Sequence, residues 1–192
     1  AGGIGLIVTQ MQAVHPSSHN FERVDFGFEP KVIPVYKKLA KAVHKHGTKV
    51  FMQIFHSGRQ RDSSFTKLPV LAPSPLRCPL LRETPKEMTK EDIRMIIDGF
   101  ALVAEHAKKG NMDGVELHGA HGYLIQQFLS PYSNIREDAY GGSRENRIRF
   151  LDEVAEAVRD RVGGKFVVGV RLSADEFVEG GLTLEDTRFY SE

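Results

Sequence analysis

The chain has 192 residues, 41% of them hydrophobic and 27% charged, and its 26 Lys and Arg against 25 Asp and Glu leave a net charge of +1. The two signs are interspersed, so no patch argues for nucleic acid or an anionic membrane surface, and no apolar run approaches the roughly 20 residues that span a bilayer. Cys78 is the only cysteine, which excludes an internal disulfide, a multi-cysteine zinc site and an iron–sulfur cluster built from these residues. Ala1-Gly2-Gly3-Ile4-Gly5 carries no charged leader, and a cytoplasmic location is expected.

Gly5-Leu6-Ile7-Val8-Thr9 is a short continuous apolar run, as in a strand covered on both faces. A loop rich in Pro16, Ser17, Ser18, His19 and Asn20 follows. Residues 31–46 read as a helix with Val35, Leu39, Ala42 and Val43 on one stripe and Gly47 as its stop; Pro34 is acceptable only because it lies in the first turn. Lys49 to Phe55 is the next strand, and a Pro/Ser-rich excursion then runs from His56 to Met88. Excursions of that length are uncommon unless functional. Thr89 opens a helix as N-cap, with Asp92 at the third helical position, an apolar stripe of Ile93, Ile96, Ile97, Phe100, Ala104 and Ala107, and Gly110 as its end. Met112 to His118 is a third strand. Ser143 caps a helix carrying Ile148, Leu151, Val154, Ala155, Val158 and Val162, which Gly163-Gly164 terminates. Phe166 to Leu172 is a fourth strand, and Thr183 with Asp186 opens a last helix.

Strand-then-helix units in series imply a parallel sheet with right-handed crossovers. A doubly wound open sheet and a segment of a (β/α)8 TIM barrel both fit. The barrel is favoured, because polar residues gather at strand C-termini (Gln53 with His56, His118, Arg171) and no strand runs into a Gly-x-Gly-x-x-Gly turn. A closed barrel needs about 200 to 250 residues or more. The expected fold is therefore α/β, a partial barrel of four βα units, with residues 1–192 forming a single incomplete domain from a longer protein.

The densest polar cluster lies in Gly114-Val115-Glu116-Leu117-His118-Gly119-Ala120-His121-Gly122-Tyr123-Leu124. Two imidazole N–H donors facing one point can hold a carbonyl oxygen and stabilise charge developing on it, and a nearby phenol can deliver a proton. That combination of His118, His121 and Tyr123 suits reduction of a double bond conjugated to a carbonyl. Structural capping by the histidines is the bland alternative, and His-x-x-His can also chelate a metal, although no third ligand of suitable spacing stands out. Gln53 is the sole hydrogen-bonding side chain between Val50 and Phe55 and must find a partner, either a ligand rich in imide and carbonyl groups or a group across the sheet. Arg171 needs a carboxylate, with Asp175 and Glu176 near in sequence, or an anionic ligand. Arg59, Arg136, Arg144, Arg147 and Arg149 read as loop holders pairing with Glu137, Asp138, Glu145 and Asp152 rather than as phosphate binders.

Four segments together resemble the Old Yellow Enzyme family: Gly5 to Thr9, Met52 to Arg59, the stretch from His118 through Arg136 and Tyr140-Gly141-Gly142-Ser143 to Arg147, and Gly169 to Ser173. The resemblance implies an FMN-dependent (β/α)8 barrel that reduces activated alkenes (enones, enoates or dienoyl-CoA thioesters) with NAD(P)H. It implies that Gln53 hydrogen-bonds the flavin pyrimidine edge and that Arg171 sits by the flavin N1/O2 edge. His118 and His121 would bind the substrate carbonyl oxygen, and Tyr123 would be the proton donor. Met11 lies where the family places a small residue or backbone against the flavin, a departure from its pattern. The run Asp175 to Leu182 looks most like the larger members, similar to 2,4-dienoyl-CoA reductases and trimethylamine dehydrogenases. Those append a 4Fe-4S cluster and an FAD/NAD-binding domain, which would lie beyond Glu192. The partner expected is a small unsaturated carbonyl compound, with no metal, nucleic acid or membrane, and a homo-oligomer is compatible. Flavin-dependent amine oxidation or demethylation on the same scaffold, and a metal-dependent barrel hydrolase using His118 and His121, are the rival readings.

Overall fold

A computed structural model describes residues 2–18, 25–64 and 66–192; His19 and Asn20 of the first expected loop lie outside them. The strands are β1 (Leu6–Val8), β2 (Gln12–Ala13), β3 (Asp25–Phe26), β4 (Lys49–Phe55), β5 (Leu71–Ala72), β6 (Lys86–Glu87), β7 (Gly114–Gly119) and β8 (Val167–Leu172). The helices are α1 (Ile33–His44), α2 (Lys90–Lys109), α3 (Leu124–Leu129), α4 (Arg144–Val162) and α5 (Leu184–Ser191).

All strands except β5 and β6 form one parallel sheet in the order β3-β2-β4-β7-β8, with β1 also on β4. Leu6 to Val8 lie opposite Lys49 to Phe51, and Gln12-Ala13 lie opposite Ile54-Phe55. The expected first strand therefore ends at Val8, and sheet pairing resumes at Gln12-Ala13, where the sequence pattern indicates only loop. The sheet curls into half of a barrel, as the four expected βα units require.

The pleat sorts the side chains. Val50, Met52 and Ile54 of β4 and Val115 and Leu117 of β7 enter one continuous core with Ile93, Ile96 and Phe100 of α2 and Phe150, Val154 and Val158 of α4. The opposite parity, on the inner face of the curl, carries Phe51, Gln53 and Phe55, then Glu116 and His118, then Gly169 and Arg171. Polar groups thus stand inside the half-barrel while the apolar set meets the helices.

Helices α2 and α5 begin at Thr89 and Thr183 with complete capping boxes, closed by Asp92 and Asp186, and Ser143 caps α4, all as the sequence pattern predicts. Helix α1 departs from expectation. Its inward residues are Tyr36 and Ala40, whereas Val35 is 63% exposed and Leu39 38% exposed. The Tyr36 hydroxyl donates to Gln12 Oε1 at 2.9 Å, which turns the helix by its aromatic residue rather than by its aliphatic stripe. Helix α3 was not anticipated, because its Leu124-Ile125-Gln126-Gln127-Phe128-Leu129 is buried on every side and shows no amphipathic period. The long excursion has structure of its own: β5 and β6 pair in parallel, and the Arg136 guanidinium ties Pro73 and Met88 carbonyls at 2.9 Å each. Among the described residues no helix is long and apolar enough to cross a membrane.

Candidate active site at the C-terminal ends of the strands

His118 is the last inward-facing side chain of β7. The chain then turns through His121 (φ 60°) and Gly122 (φ 72°), two consecutive left-handed residues, so that Tyr123 becomes the N-cap of α3. A histidine in this region is uncommon and is held there by its surroundings. The Gln60 amide donates to the His121 carbonyl at 2.5 Å, and the His121 N–H donates to Ser173 Oγ at 3.3 Å. Gln60 and Ser173 were not singled out from the sequence, since nothing local ties them to residue 121.

The turn brings three rings together. His118 lies 5.0 Å from His121 and 4.9 Å from Tyr123, edge-on to both, and Phe55 lies 5.1 Å from Tyr123 on the far side. Met11 packs on the buried pair Ala13 and Phe55, against which Tyr123 also packs, which places it near the same strand ends. His118 is buried, and burial pushes its pKa down to about 4; the neighbouring charges of His121 and Arg171 act in the same sense and Glu116 opposes them. The ring is therefore neutral at neutral pH. Its Nδ1 accepts the Ala120 N–H at 3.4 Å, so the proton resides on Nε2 as a donor.

One layer deeper, Gln53 and Arg171 meet on a single carboxylate. Gln53 Nε2 donates to Glu116 Oε1 at 2.6 Å, and Arg171 Nε donates to the same oxygen at 3.0 Å. This corrects the expected partners of Arg171. Asp175 instead accepts the Phe177 N–H, and Glu176 accepts from Gln126 and the Leu182 N–H. The reason is register: Glu116 pairs with Gly169, one step down the inner face from Arg171, whereas residues 175 and 176 have already left the strand. Glu116 was missed from the sequence, yet a signal exists: it is the only carboxylate in β7, at the same pleat parity as His118.

The other polar residues of these loops build the frame. Arg136 pairs with Asp138 at 2.6 Å and Arg144 with Asp186 at 2.6 Å, while Arg147 holds the Leu129 carbonyl at 2.8 Å and Arg149 the Ala139 carbonyl at 2.7 Å. They hold loops as expected, but only Asp138 of the expected acids is among these partners. Arg59 reaches the Leu76 and Arg77 carbonyls and lies 5.5 Å over the Tyr132 ring. His56 accepts the Gly58 N–H on Nδ1, so its Nε2 donates to Ser17 Oγ at 2.9 Å, and that hydroxyl reaches His15 Nδ1 at 2.7 Å. This chain, buried at Ser17 and His56 and half-buried at His15, joins the loops after β2 and β4. Among the described residues no group of three or more His, Cys, Asp or Glu could hold a metal ion, so His118 and His121 have no third ligand there.

All 192 residues match the NADH:flavin oxidoreductase / NADH oxidase family. The chain is 46% identical over 190 residues to an NADH oxidase of Thermoanaerobacter brockii, covering 96% of this chain and 29% of that protein. It is 48% identical over 159 residues to an N,N-dimethylglycine/sarcosine dehydrogenase of Chromohalobacter salexigens, covering 82% of this chain and 23% of the relative. A solved 2-naphthoyl-CoA reductase in complex with 2-naphthoyl-CoA superposes with a TM-score of 0.93 at 32% identity, covering 99% of this chain and 31% of that one. The chain thus spans less than a third of each. A parallel half-barrel with a His–His–Tyr mouth, matched from end to end, belongs to the NADH:flavin oxidoreductase / NADH oxidase family, of Old Yellow Enzyme type.

Proposed function

We propose that residues 1–192 are an incomplete FMN-binding barrel domain of an NAD(P)H-dependent oxidoreductase that reduces a carbon–carbon double bond conjugated to a carbonyl. One observation carries the reading: His118, His121 and Tyr123 converge at the strand ends, with His118 level with Arg171 and one inward step above the Gln53–Glu116 pair.

The inner-face residues fit the cofactor. With one N–H on Glu116, the Gln53 amide retains its oxygen and second N–H, a pair that complements the imide edge of an isoalloxazine. Arg171 uses Nε on Glu116 and keeps its terminal nitrogens for an anionic ring edge. FMN held by Gln53 and Arg171 would supply the two-electron chemistry that links NAD(P)H to the substrate alkene. Everything else falls to side chains of this chain. Neutral His118, with its proton on Nε2, donates to the substrate carbonyl oxygen together with His121 and stabilises the enolate charge that develops there. The Tyr123 hydroxyl delivers the proton to the α-carbon. Phe55 packs edge-on against Tyr123 and carries Met11 on the same small cluster, which holds the phenol in place.

The substrate is a small unsaturated carbonyl compound; the likeness to a 2-naphthoyl-CoA reductase supports a CoA thioester among the candidates. Dependence on NAD(P)H fits a cytoplasmic location. A 4Fe-4S cluster would draw its cysteines from outside residues 1–192, since Cys78 stands alone.

The test is the visible spectrum of the full-length protein. A flavin band that bleaches with anaerobic NADPH and returns on adding cyclohexenone supports the reading; a protein colourless even with added FMN overturns it. Tyr123→Phe should slow re-oxidation by enone at least about a hundredfold, the general-acid contribution, and leave reduction by NADPH unchanged. Equal loss in both half-reactions would remove Tyr123 from the proton-donor role. Identity to an N,N-dimethylglycine/sarcosine dehydrogenase favours a second reading, oxidation of a tertiary or secondary amine at the same mouth. Bleaching by dimethylglycine without turnover of any enone would select it.

A further inference from the structure

We infer that Glu116 is a positioning residue that sets the orientation of the Gln53 amide and offsets the charge of Arg171, and through them fixes both the affinity for flavin and its midpoint potential. The inference rests on the flavin reading above. Three features of the geometry carry it.

First, Glu116 Oε1 is the common acceptor for Gln53 Nε2 at 2.6 Å and Arg171 Nε at 3.0 Å. An ionised carboxylate has no proton to give. Only the amino end of the Gln53 amide can face it, because the flipped amide would set oxygen against oxygen. Glu116 therefore decides which end of Gln53 is presented to a ligand. Second, the Glu116 side chain is only 16% exposed while that of Arg171 is 45% exposed. The carboxylate lies beneath the guanidinium, screened from solvent, where its charge acts strongly on groups above it. Third, both sheet neighbours of β7 belong to this chain, so Glu116 and the two groups that reach it all lie on adjacent strands of residues 1–192.

The electrostatic consequence has a definite sign. A bare guanidinium beside the ring favours the anionic, reduced flavin over the neutral, oxidised one. Glu116 cancels part of that charge and holds the potential down. Removing it should raise the potential while weakening oxidised FMN, whose hydrogen-bonding partner Gln53 is no longer oriented.

The test uses the full-length holoenzyme and two readouts independent of turnover, the dissociation constant for oxidised FMN and the midpoint potential by dye-coupled titration. E116Q is expected to weaken oxidised FMN about tenfold, the scale of one hydrogen bond to a charged group. It is also expected to raise the potential by about 30 mV, which is a tenfold preference for reduced over oxidised flavin in a two-electron couple. In a Gln53→Ala background, E116Q should change FMN affinity by less than about twofold, because the group it orients is gone. A carboxylate that merely stabilises the sheet would lower Tm, weaken FMN by the same factor in both backgrounds, and leave the potential where it was; that result overturns the inference. Should E116Q fail to fold, the pair R171Q and E116Q/R171Q replaces it, since the double variant removes both charges together. A potential higher in the double than in R171Q supports the inference, and equal potentials overturn it. A full-length wild-type protein that takes up no flavin would overturn the functional reading and this inference with it, whereas a yellow wild type with an unaltered E116Q overturns this inference alone.

Discussion

His118 illustrates how burial selects a protonation state, one that suits the role proposed for it. As an imidazolium it would bind a carbonyl oxygen strongly but bring a charge into a closed, aromatic corner. Burial instead holds its pKa near 4, below the ordinary value of 6.5, and the ring donates as neutral imidazole. His56 is pushed down in the same direction by burial, by His15 and by Arg61. Both groups bind fewer protons folded than unfolded over the acidic range, so stability must fall as pH drops below about 6.5, with His118 contributing down to about 4. Chemical denaturation at pH 7, 6 and 5 should show that fall, and His118→Asn should flatten it. A wild type equally stable at pH 7 and pH 5 would contradict the assignment. The residue that organises the layer below, Glu116, carries no motif of its own, and its importance emerges only from the two side chains that reach it.

Helix α2 shows how packing can reverse a propensity. Gly99 sits in mid-helix, where replacement by alanine ordinarily stabilises by about 0.5–1 kcal/mol. Here an added Cβ would lie 2.7 Å from the Val14 carbonyl oxygen, a backbone atom that cannot swing away. Gly99→Ala should therefore destabilise, by about 1–3 kcal/mol as for other overpacked positions, and urea unfolding measures the sign directly. Loss of a cap is simpler. Thr89→Ala removes the hydroxyl that accepts the Asp92 N–H and should cost about 1 kcal/mol; an unchanged unfolding midpoint would show that the box contributes nothing. Caps, stops and the stripe of α2 were legible because they depend on neighbours three or four residues away. The inward face of α1 was not, because Tyr36 is drawn in by Gln12, 24 residues earlier, on β2. Helix α3 escaped for a related reason: a segment buried all round has no polar face to mark its period.

The half-barrel presents its inner face as one side of a binding site. Inward side chains such as Leu6 (45% exposed) and Val167 (48% exposed) have no cover among the described residues. Residues 1–192 expressed alone should accordingly purify colourless and bind added FMN at least about a hundredfold more weakly than the full-length protein, because much of the ligand surface stays in water. A stoichiometric yellow fragment would show instead that this face suffices.

The βα alternation, the parallel sheet, the barrel rather than the dinucleotide-binding architecture, and the His118–His121–Tyr123 cluster could all be read along the chain. Each depends on periodicity, on capping, or on residues within a single turn, and such short-range relations survive in one dimension. The partnership of Glu116 with Gln53 and Arg171 could not, since the three residues are separated by 63 and 55 positions and meet only when parallel strands take up their register. The same holds for the grip of Gln60 and Ser173 on the left-handed His121, 61 and 52 residues away. Local pattern thus names the groups proposed for the chemistry, while the register of the folded sheet chooses the groups that hold them in place. A hydrogen-bond acceptor is satisfied by whichever donor the fold delivers within 3 Å, and sequence distance has no bearing on that choice.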